Sequence, residues 1–418
     1  MPELLTLDAS GFPRAGGLAL ALPPTVRRAL ALLLRNTGTV VDKDTFAREV
    51  WRGGAMSDES LARCISRLRR EIERHGYRLD AVYGVGYRLD PPAPQAPDPE
   101  RIALARQTER HARALLTQRT PEAITRALGL LRETVAAVPA YAPVRLALAE
   151  ALVTAIAWGL VETLPAVDEG LDAVAVARRQ DAAAPGLAAV QGALLDAAWR
   201  FDEAERAFDE AMAQASPPAE AMILHARHLL MTERADAAVA RLEAVLRLTP
   251  HDPGVVLLMA RSLLQAGRGG ESVALARRVI DEHPGLLFAV AFELALRALV
   301  DPVPELEAAA ARLADGVSPP PFAWSVLAFV LARLGRREAA LDIIDAVLLC
   351  SRTSTGEASL YAAPLTALGE HARAAALLER AYEERCGLLS MVLRDPANAA
   401  LVAPGGAAHG LVGRVFGG

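Results

Sequence analysis

Apolar positions recur with the period of an α-helix along most of the chain, from about residue 101 onward. Prolines punctuate this pattern at intervals of 32 to 35 residues, at Pro185, Pro218, Pro250, Pro284 and Pro319. Each interval holds an apolar helix, a short polar turn and a second, alanine-rich helix. In the interval ending at Pro250, for example, Ala238, Leu242 and Val245 share one helical face. Such a period indicates stacked helix pairs that bury their apolar faces on one another.

The first ninety residues carry a different, mixed pattern. Short apolar runs at 4–7 and 18–22 predict two strands, separated by a turn rich in glycine and proline. Three helices are predicted next, with Asp42 capping the second and Ser57 or Asp58 the third; they span residues 24–35, 43–51 and 57–75. Residues 77–89 predict a β-hairpin, because the glycines of its turn tolerate positive φ. These elements predict a small α+β module.

The third predicted helix has two chemically different faces. Its apolar residues fall within about 60° of one another on a helical wheel; they are Leu61, Ile65, Leu68 and Ile72. Arginines cluster on the opposite side; they are Arg63, Arg67, Arg70 and Arg74. A row of guanidinium groups can be a solvated surface. It also suits DNA, because a helix fits the major groove and arginine binds guanine or phosphate there.

A proline-rich segment separates the two patterns. Five prolines fall within residues 91–99, which forbids a continuous helix and indicates a linker. We therefore predict a module at 1–90, a linker at 91–100, about seven helix pairs at 101–385, and a C-terminal cap at 386–418. The glycine-rich end of that cap, from Gly405, is expected to be loosely ordered.

Composition and charge narrow the function. The net charge is −5, but residues 1–90 hold 14 basic against 11 acidic side chains, so the remainder carries −8. No apolar run reaches the length of a membrane span and no secretion signal is recognisable, so we expect a soluble, cytoplasmic protein without a membrane partner. The three cysteines lie far apart, and the pair His225 and His228 lacks a third ligand, so we predict neither metal nor cofactor. No set of acid, base and nucleophile converges, and we expect no enzyme.

The helix pairs resemble tetratricopeptide repeats. The family's second-helix pattern of a small, a bulky and a small residue occurs before Pro250, and more loosely before Pro218 and Pro284. The family's first-helix tryptophan and glycine-tyrosine positions hold mostly Leu, Ala or Val instead. The resemblance implies a mainly α protein whose all-α solenoid offers a concave surface to a protein or peptide.

Residues 3–90 resemble the effector domain of OmpR/PhoB-type regulators, a winged helix-turn-helix. The resemblance rests on four blocks in the family's order: Leu32–Val41, Val50–Trp51, Ile65–Ile72 and Gly84–Leu89. It implies that the third helix enters the major groove and that the wing contacts the neighbouring minor groove or backbone. The DNA-binding residues are then Arg63, Ser66, Arg67, Arg70, Arg74 and Arg88. Val82 and Tyr83 replace the family's Thr-Arg pair, so Arg88 or Arg78 is expected to supply the wing's cation.

Two hypotheses from different classes remain. The first is a sequence-specific DNA-binding transcription regulator whose repeats sense or bind another protein or peptide; its domain order resembles HilA-type regulators of bacterial virulence and secretion genes. The second is an interaction scaffold whose winged helix contacts protein and not DNA. The arginine face favours the first hypothesis, since a protein-binding wing needs no such row. A homodimer is the competing use of the repeat surface.

Overall fold

The computed structural model describes residues 5–8, 11–15, 18–91, 99–139, 141–283, 285–300, 321–350 and 354–417. The chain divides into two compact units, residues 1–97 and 98–418. Most of the predicted linker, residues 92–98, lies outside the described part, as do Pro284 and Pro319 of the proline series.

The first unit contains two small antiparallel sheets and three helices. Its elements, in chain order, are β1 Leu5–Leu7, β2 Pro13–Ala15, β3 Leu18–Ala19, α1 Pro24–Arg35, β4 Val40–Asp42, α2 Lys43–Glu49, α3 Asp58–Ile72, β5 Arg78–Val82 and β6 Gly86–Asp90. One sheet has the order β1-β2-β3 and the other β4-β6-β5.

Two of these strands differ from the sequence-based expectation. The segment predicted as a Gly/Pro-rich turn contains β2, which pairs with both β1 and β3. The strand β4 was not predicted either, and it pairs with β6 so that Val41 lies opposite Tyr87. Both strands have only three residues, too few for a period of two to be recognised, and only tertiary pairing defines them.

Helix starts follow the predicted caps. The Asp42 carboxylate accepts a hydrogen bond from the backbone N–H of Thr45 at 2.7 Å, which also lowers the pKa of Asp42. Ser57 begins α3 with a capping box, in which its hydroxyl accepts from the backbone N–H of Ser60 and the Ser60 hydroxyl accepts from that of Ser57. These bonds satisfy backbone donors that a helix start leaves free.

The second unit is a series of helical pairs. Its helices are α4 Pro99–Leu116, α5 Pro121–Ala137, α6 Ala142–Ala157, α7 Thr163–Gln180, α8 Leu187–Ala197, α9 Phe201–Met212, α10 Ala219–Met231, α11 Ala235–Leu248, α12 Pro253–Gln265, α13 Gly269–Glu282, α14 Leu287–Val300, α15 Pro321–Arg333, α16 Arg337–Leu348, α17 Thr355–Ser359, α18 Ala362–Ala367, α19 His371–Glu383, α20 Leu389–Leu393, α21 Ala399–Val402 and α22 His409–Phe416. From α10 to α15, the first helices of successive pairs start 34 residues apart. Among the described residues, no helix combines the length and apolarity needed to cross a bilayer.

Small residues allow the helices to pack closely. A Cβ placed on Gly192 in α8 would lie 2.8 Å from the ring of Phe208 in α9. Phe208 is fully buried, so the ring has no room to move away. This contact explains part of the alanine and glycine excess, because larger side chains would hold the paired helices apart.

The C-terminal region is better ordered than the glycine content suggested. Residues expected to be loose form α22, and Phe416 of that helix stacks on Phe201 with ring centroids 5.0 Å apart. Arg394 lies over the same Phe416 ring at 4.1 Å. An aromatic anchor therefore ties this segment to the middle of the solenoid, which glycine counting alone does not reveal.

A buried histidine links two of the pairs. His228 of α10 contacts the carboxylate of Asp196 through Nδ1 at 2.7 Å and that of Glu205 through Nε2 at 2.6 Å. Its side chain has no exposed surface. Burial opposes protonation, but the two carboxylates outweigh it and raise the pKa of His228 above 6.5. Both ring nitrogens of His228, one of the two histidines considered as metal ligands, therefore form ion pairs with carboxylates.

We expect His228→Leu to destabilise the second unit by about 3–5 kcal/mol, because Asp196 would be left buried without its partner. The matched change His251→Leu removes an exposed histidine that pairs with Glu282 at 3.4 Å, and it should cost less than about 1 kcal/mol. Urea unfolding monitored by helical dichroism gives both values. Similar costs for the two variants would contradict a structural role for the buried network.

The same network should make stability depend on pH. A raised folded pKa means that the contribution of His228 is complete below its ordinary value of 6.5 and is lost as pH rises through the higher folded value. The free-energy difference between wild type and His228→Leu should therefore be larger at about pH 6 than at about pH 9. A difference that grows with pH would assign the stabilisation to the neutral imidazole.

Candidate nucleic-acid interface

Helix α3 separates its two chemistries as its sequence predicts. The apolar side chains Leu61, Ile65, Leu68 and Ile72 are buried in the core of the first unit. Cys64 lies among them, and burial raises the pKa of its thiol to about 11, so it stays protonated at neutral pH. This core fixes the rotation of α3 and leaves the opposite face to solvent.

The predicted DNA-binding residues of α3 are all exposed. They are Arg63, Ser66, Arg67 and Arg70 within the helix and Arg74 in the 3-10 turn Glu73–His75 that extends it. At 3.6 residues per turn, the four helical positions fall within about 100° of one another. The structure therefore brings these five side chains to one surface, which we call the α3 face.

In the described part of the chain, some arginines of the α3 face form ion pairs and others do not. Arg63 lies 3.3 Å from Glu59, and Arg74 lies 3.8 Å from Glu71. Within the described residues, Arg67 and Arg70 have no acidic partner. The uncompensated positive charge of the face is therefore concentrated at these two arginines.

Arg69 has a role that the sequence did not reveal. It is half-buried, and its Nε donates a hydrogen bond to the backbone carbonyl of Leu79 in β5 at 2.9 Å. This bond joins α3 to the hairpin that follows it. The sequence did hold one signal for this role: on the helical wheel, Arg69 falls between the apolar face and the arginine face of α3.

Two glycines shape the turn of the hairpin for different reasons. Gly84 has φ of +75°, a conformation that residues with a side chain rarely adopt. A Cβ on Gly86 would lie 1.9 Å from the backbone oxygen of Val41, so close pairing with β4 excludes any side chain there. At the tip, Tyr83 before Gly84 is fully exposed, and Val85 between the two glycines is about half exposed.

The cations of the hairpin are paired. Arg88 of β6 lies 3.0 Å from Asp90, and Arg78 of β5 lies 3.1 Å from Asp80. Arg88 is therefore accessible but neutralised locally, in contrast to Arg67 and Arg70. It lies on the central strand of the hairpin sheet, not on the α3 face.

A further ion pair joins the starts of α2 and α3. The Nζ of Lys43 donates to the carboxylate of Asp58 at 2.8 Å, and this bond raises the pKa of Lys43. The backbone N–H of Lys43 also donates to the carbonyl of Val85 in the wing turn at 3.3 Å. Lys43 of α2 thus contacts both α3 and the turn of the hairpin.

Comparisons with known proteins match part of each unit to a protein family. Residues 17–89 match the family described as Transcriptional regulatory protein, C terminal, and residues 229–290 match a tetratricopeptide repeat family. Residues 17–89 therefore form a regulatory domain of the OmpR/PhoB type, and tetratricopeptide repeats follow it in the second unit.

Two known regulators are similar in sequence to part of this chain. The chain is 38% identical over 91 residues to Transcriptional regulator HilA of Salmonella typhimurium, a match covering 20% of this chain and 16% of the relative. It is also 38% identical over 93 residues to Transcriptional regulatory protein AfsQ1 of Streptomyces coelicolor, covering 21% and 41%. The match thus spans less than half of either relative.

One solved structure is similar to part of this chain. A tetratricopeptide repeat protein from Parabacteroides merdae covers 58% of this chain and 98% of its own length, with a TM-score of 0.41 and 14% identity.

The wing turn yields a prediction about Gly86. Gly86→Ala should separate β4 from β6, because the new Cβ would collide with backbone that cannot rotate away. Gly84→Ala is the matched control: no atom lies within 4 Å of its Cβ position, so we expect only about 1–2 kcal/mol of left-handed strain. Hydrogen exchange should show lost amide protection in β4 and β6 for Gly86→Ala alone. Equal protection in the two variants would rule out the close approach.

Proposed function

We propose that the protein is a sequence-specific DNA-binding transcription regulator that reads the major groove with the α3 face. The observation that carries this proposal is the pair of exposed arginines, Arg67 and Arg70, without acidic partners among the described residues. Guanidinium groups bind guanine O6 and N7 bidentately and neutralise phosphates. DNA is the partner whose chemistry matches this face.

The remaining residues have graded roles in the proposal. Arg63 and Arg74 contact phosphates after exchanging Glu59 and Glu71 for DNA, and Ser66 donates to a base or phosphate between them. Arg88 contacts the backbone from the wing, where it must first release Asp90. We therefore assign base reading to Arg67 and Arg70 and positioning to the others.

The domain limits belong to the same proposal. We place the DNA-binding domain at 1–90, the linker at 91–100, the repeats at 101–385 and the cap at 386–418. The repeats are proposed to bind a protein or peptide, because their net negative charge repels DNA and stacked helix pairs present an extended surface. We place this regulator in the cytoplasm, where bacterial DNA lies. The order of its domains further predicts that it controls virulence or secretion genes.

The DNA-binding proposal predicts a large effect of Arg67→Ala with Arg70→Ala. If each arginine reads a base, each change should cost about 1–3 kcal/mol on the preferred sequence. Because both arginines are assigned to bases, the logarithmic salt dependence should change little, whereas Arg63→Ala should make it shallower by about one unit for the phosphate contact removed. Fluorescence anisotropy with a sequence selected from a random DNA pool measures both quantities.

Arg35→Ala is the matched control. It removes an exposed arginine from α1, where Arg35 pairs with Glu49 at 3.0 Å, and leaves the α3 face unchanged. DNA affinity should then stay within about twofold of wild type. Unchanged DNA binding by the Arg67, Arg70 double variant would refute the proposal and favour the scaffold hypothesis.

The proposed role of the repeats is tested with residues 98–418. We expect this fragment to capture a distinct protein from a lysate of its own host and to leave DNA unbound at physiological salt. Light scattering on the purified fragment measures self-association. A dimer without another partner would replace sensing by dimerisation, and direct DNA binding would overturn both.

A further inference from the structure

A cavity of about 900 Å³ lies within the second unit. It is lined mainly by first helices of successive pairs, namely α4, α6, α10, α12, α14 and α15, and by the returning segment 388–397. Cavities of this size are typical of small-molecule sites. The space is therefore large enough for a ligand with a body of several rings or a long chain.

The returning segment closes one side of the cavity. Gln265 of α12 donates to the backbone carbonyl of Arg394 at 3.0 Å, and Arg261 donates to that of Met391 at 3.4 Å. Arg394 in turn donates from Nε to the carbonyl of Met231 in α10 at 3.1 Å. Hydrogen bonds to the backbone on both sides fix this wall in place.

Much of the wall is aromatic and aliphatic. Trp158 and Phe322 meet edge to face across it, with ring centroids 6.2 Å apart. Phe292 and Phe329 add two more rings, from α14 and α15. Such a lining favours an apolar ligand body.

Arg227 is one of several arginines that interrupt this largely apolar wall. It lies on α10, and its half-buried side chain lines the cavity. Its guanidinium carries five donors, and its recorded side-chain contact within the described residues is the thioether sulfur of Met391 at 3.7 Å. Burial and the nearby charges of Arg119 and Arg261 lower the pKa of Arg227, and the more distant carboxylates of Glu220 and Asp196 only partly oppose this.

Most of the carboxylates that line the cavity are committed elsewhere. Glu150 pairs with Arg113, and Asp395 pairs with Arg261 at 3.6 Å. Asp252 and Glu357 accept from backbone N–H groups at helix starts. Glu220 is exposed and lies two helical turns, about 10 Å, from Arg227 along α10.

A second arginine enters from another element. Arg119 follows α4 with φ of +52°, and its guanidinium rests on Gly254, where a Cβ would lie 2.3 Å from Nη2. No acidic partner of Arg119 occurs among the described residues. Arg227 on α10 and Arg119 after α4 thus face a largely apolar cavity, and neither forms an ion pair among the described residues. A cation without a paired anion in such a place is unfavourable until an anion joins it.

We propose that this cavity binds a small organic anion whose apolar body lies among Trp158, Phe322 and their neighbours and whose single anionic group binds Arg227. Arg119 adds longer-range attraction from the direction of α12. This inference goes beyond DNA recognition, and its test uses no DNA, so either proposal can fail without the other.

The test uses two dyes that differ in one group. 8-Anilinonaphthalene-1-sulfonate is an aromatic anion, and N-phenyl-1-naphthylamine is the same molecule without the sulfonate. Fluorescence titration of the full chain should show saturable binding of both. Arg227→Met should weaken the anionic dye about tenfold or more and leave the neutral dye within about twofold, because only the anion loses a charge-assisted bond.

Two further variants test whether the dyes bind in the cavity. Arg278→Met removes an arginine outside the cavity, which pairs with Glu282 at 3.7 Å, and should change neither affinity. Val326→Trp fills the cavity and should abolish binding of both dyes. If Arg227→Met loses its helical dichroism, Arg227→Gln replaces it, since glutamine keeps hydrogen-bond donors without the charge.

Two results would overturn the proposal. One is equal loss of both dyes in the Arg227 variants, which would make the arginine structural. The other is unaltered binding in Val326→Trp, which would place the dyes outside the cavity.

Discussion

Burial of one face of α3 is the constraint on which the first unit depends. Leu61, Ile65, Leu68 and Ile72 pack into the core with Phe46 and Leu89, so the helix cannot rotate without exposing them. Their burial contributes on the order of several kcal/mol. Because this face is fixed, Arg67 and Arg70 must point to solvent, so the orientation of the α3 face follows from the core rather than from the arginines.

The second unit depends on the packing of neighbouring helix pairs. Each pair buries its apolar face on the next, and small residues such as Gly192 set how closely helices approach. The returning C-terminal segment adds long-range order to this local scheme. Phe416 on Phe201 and Arg394 on the Met231 carbonyl join residues more than 160 positions apart. Part of the returning segment, residues 388–397, also forms one wall of the cavity.

Ionic groups serve opposite purposes in the two units. In the first, exposed pairs such as Arg63 with Glu59 are weak and can exchange for phosphate at little cost. In the second, His228 is held between Asp196 and Glu205 without access to water, so its charge is structural. Arg227 belongs to neither type, since its half-buried guanidinium has no carboxylate within ion-pairing distance among the described residues.

The sequence alone determined the helix starts at Asp42 and Ser57, the two faces of α3, the repeat period and the order of the two units, because these features depend on neighbours within a few turns. It did not reveal β2, β4, the contact of Arg69 with Leu79, the order of the glycine-rich end or the cavity around Arg227. Each of these joins residues from separate elements, and their pairing is decided by packing. Local patterns record which face is apolar; only the tertiary structure decides what that face, and the charges beside it, will meet.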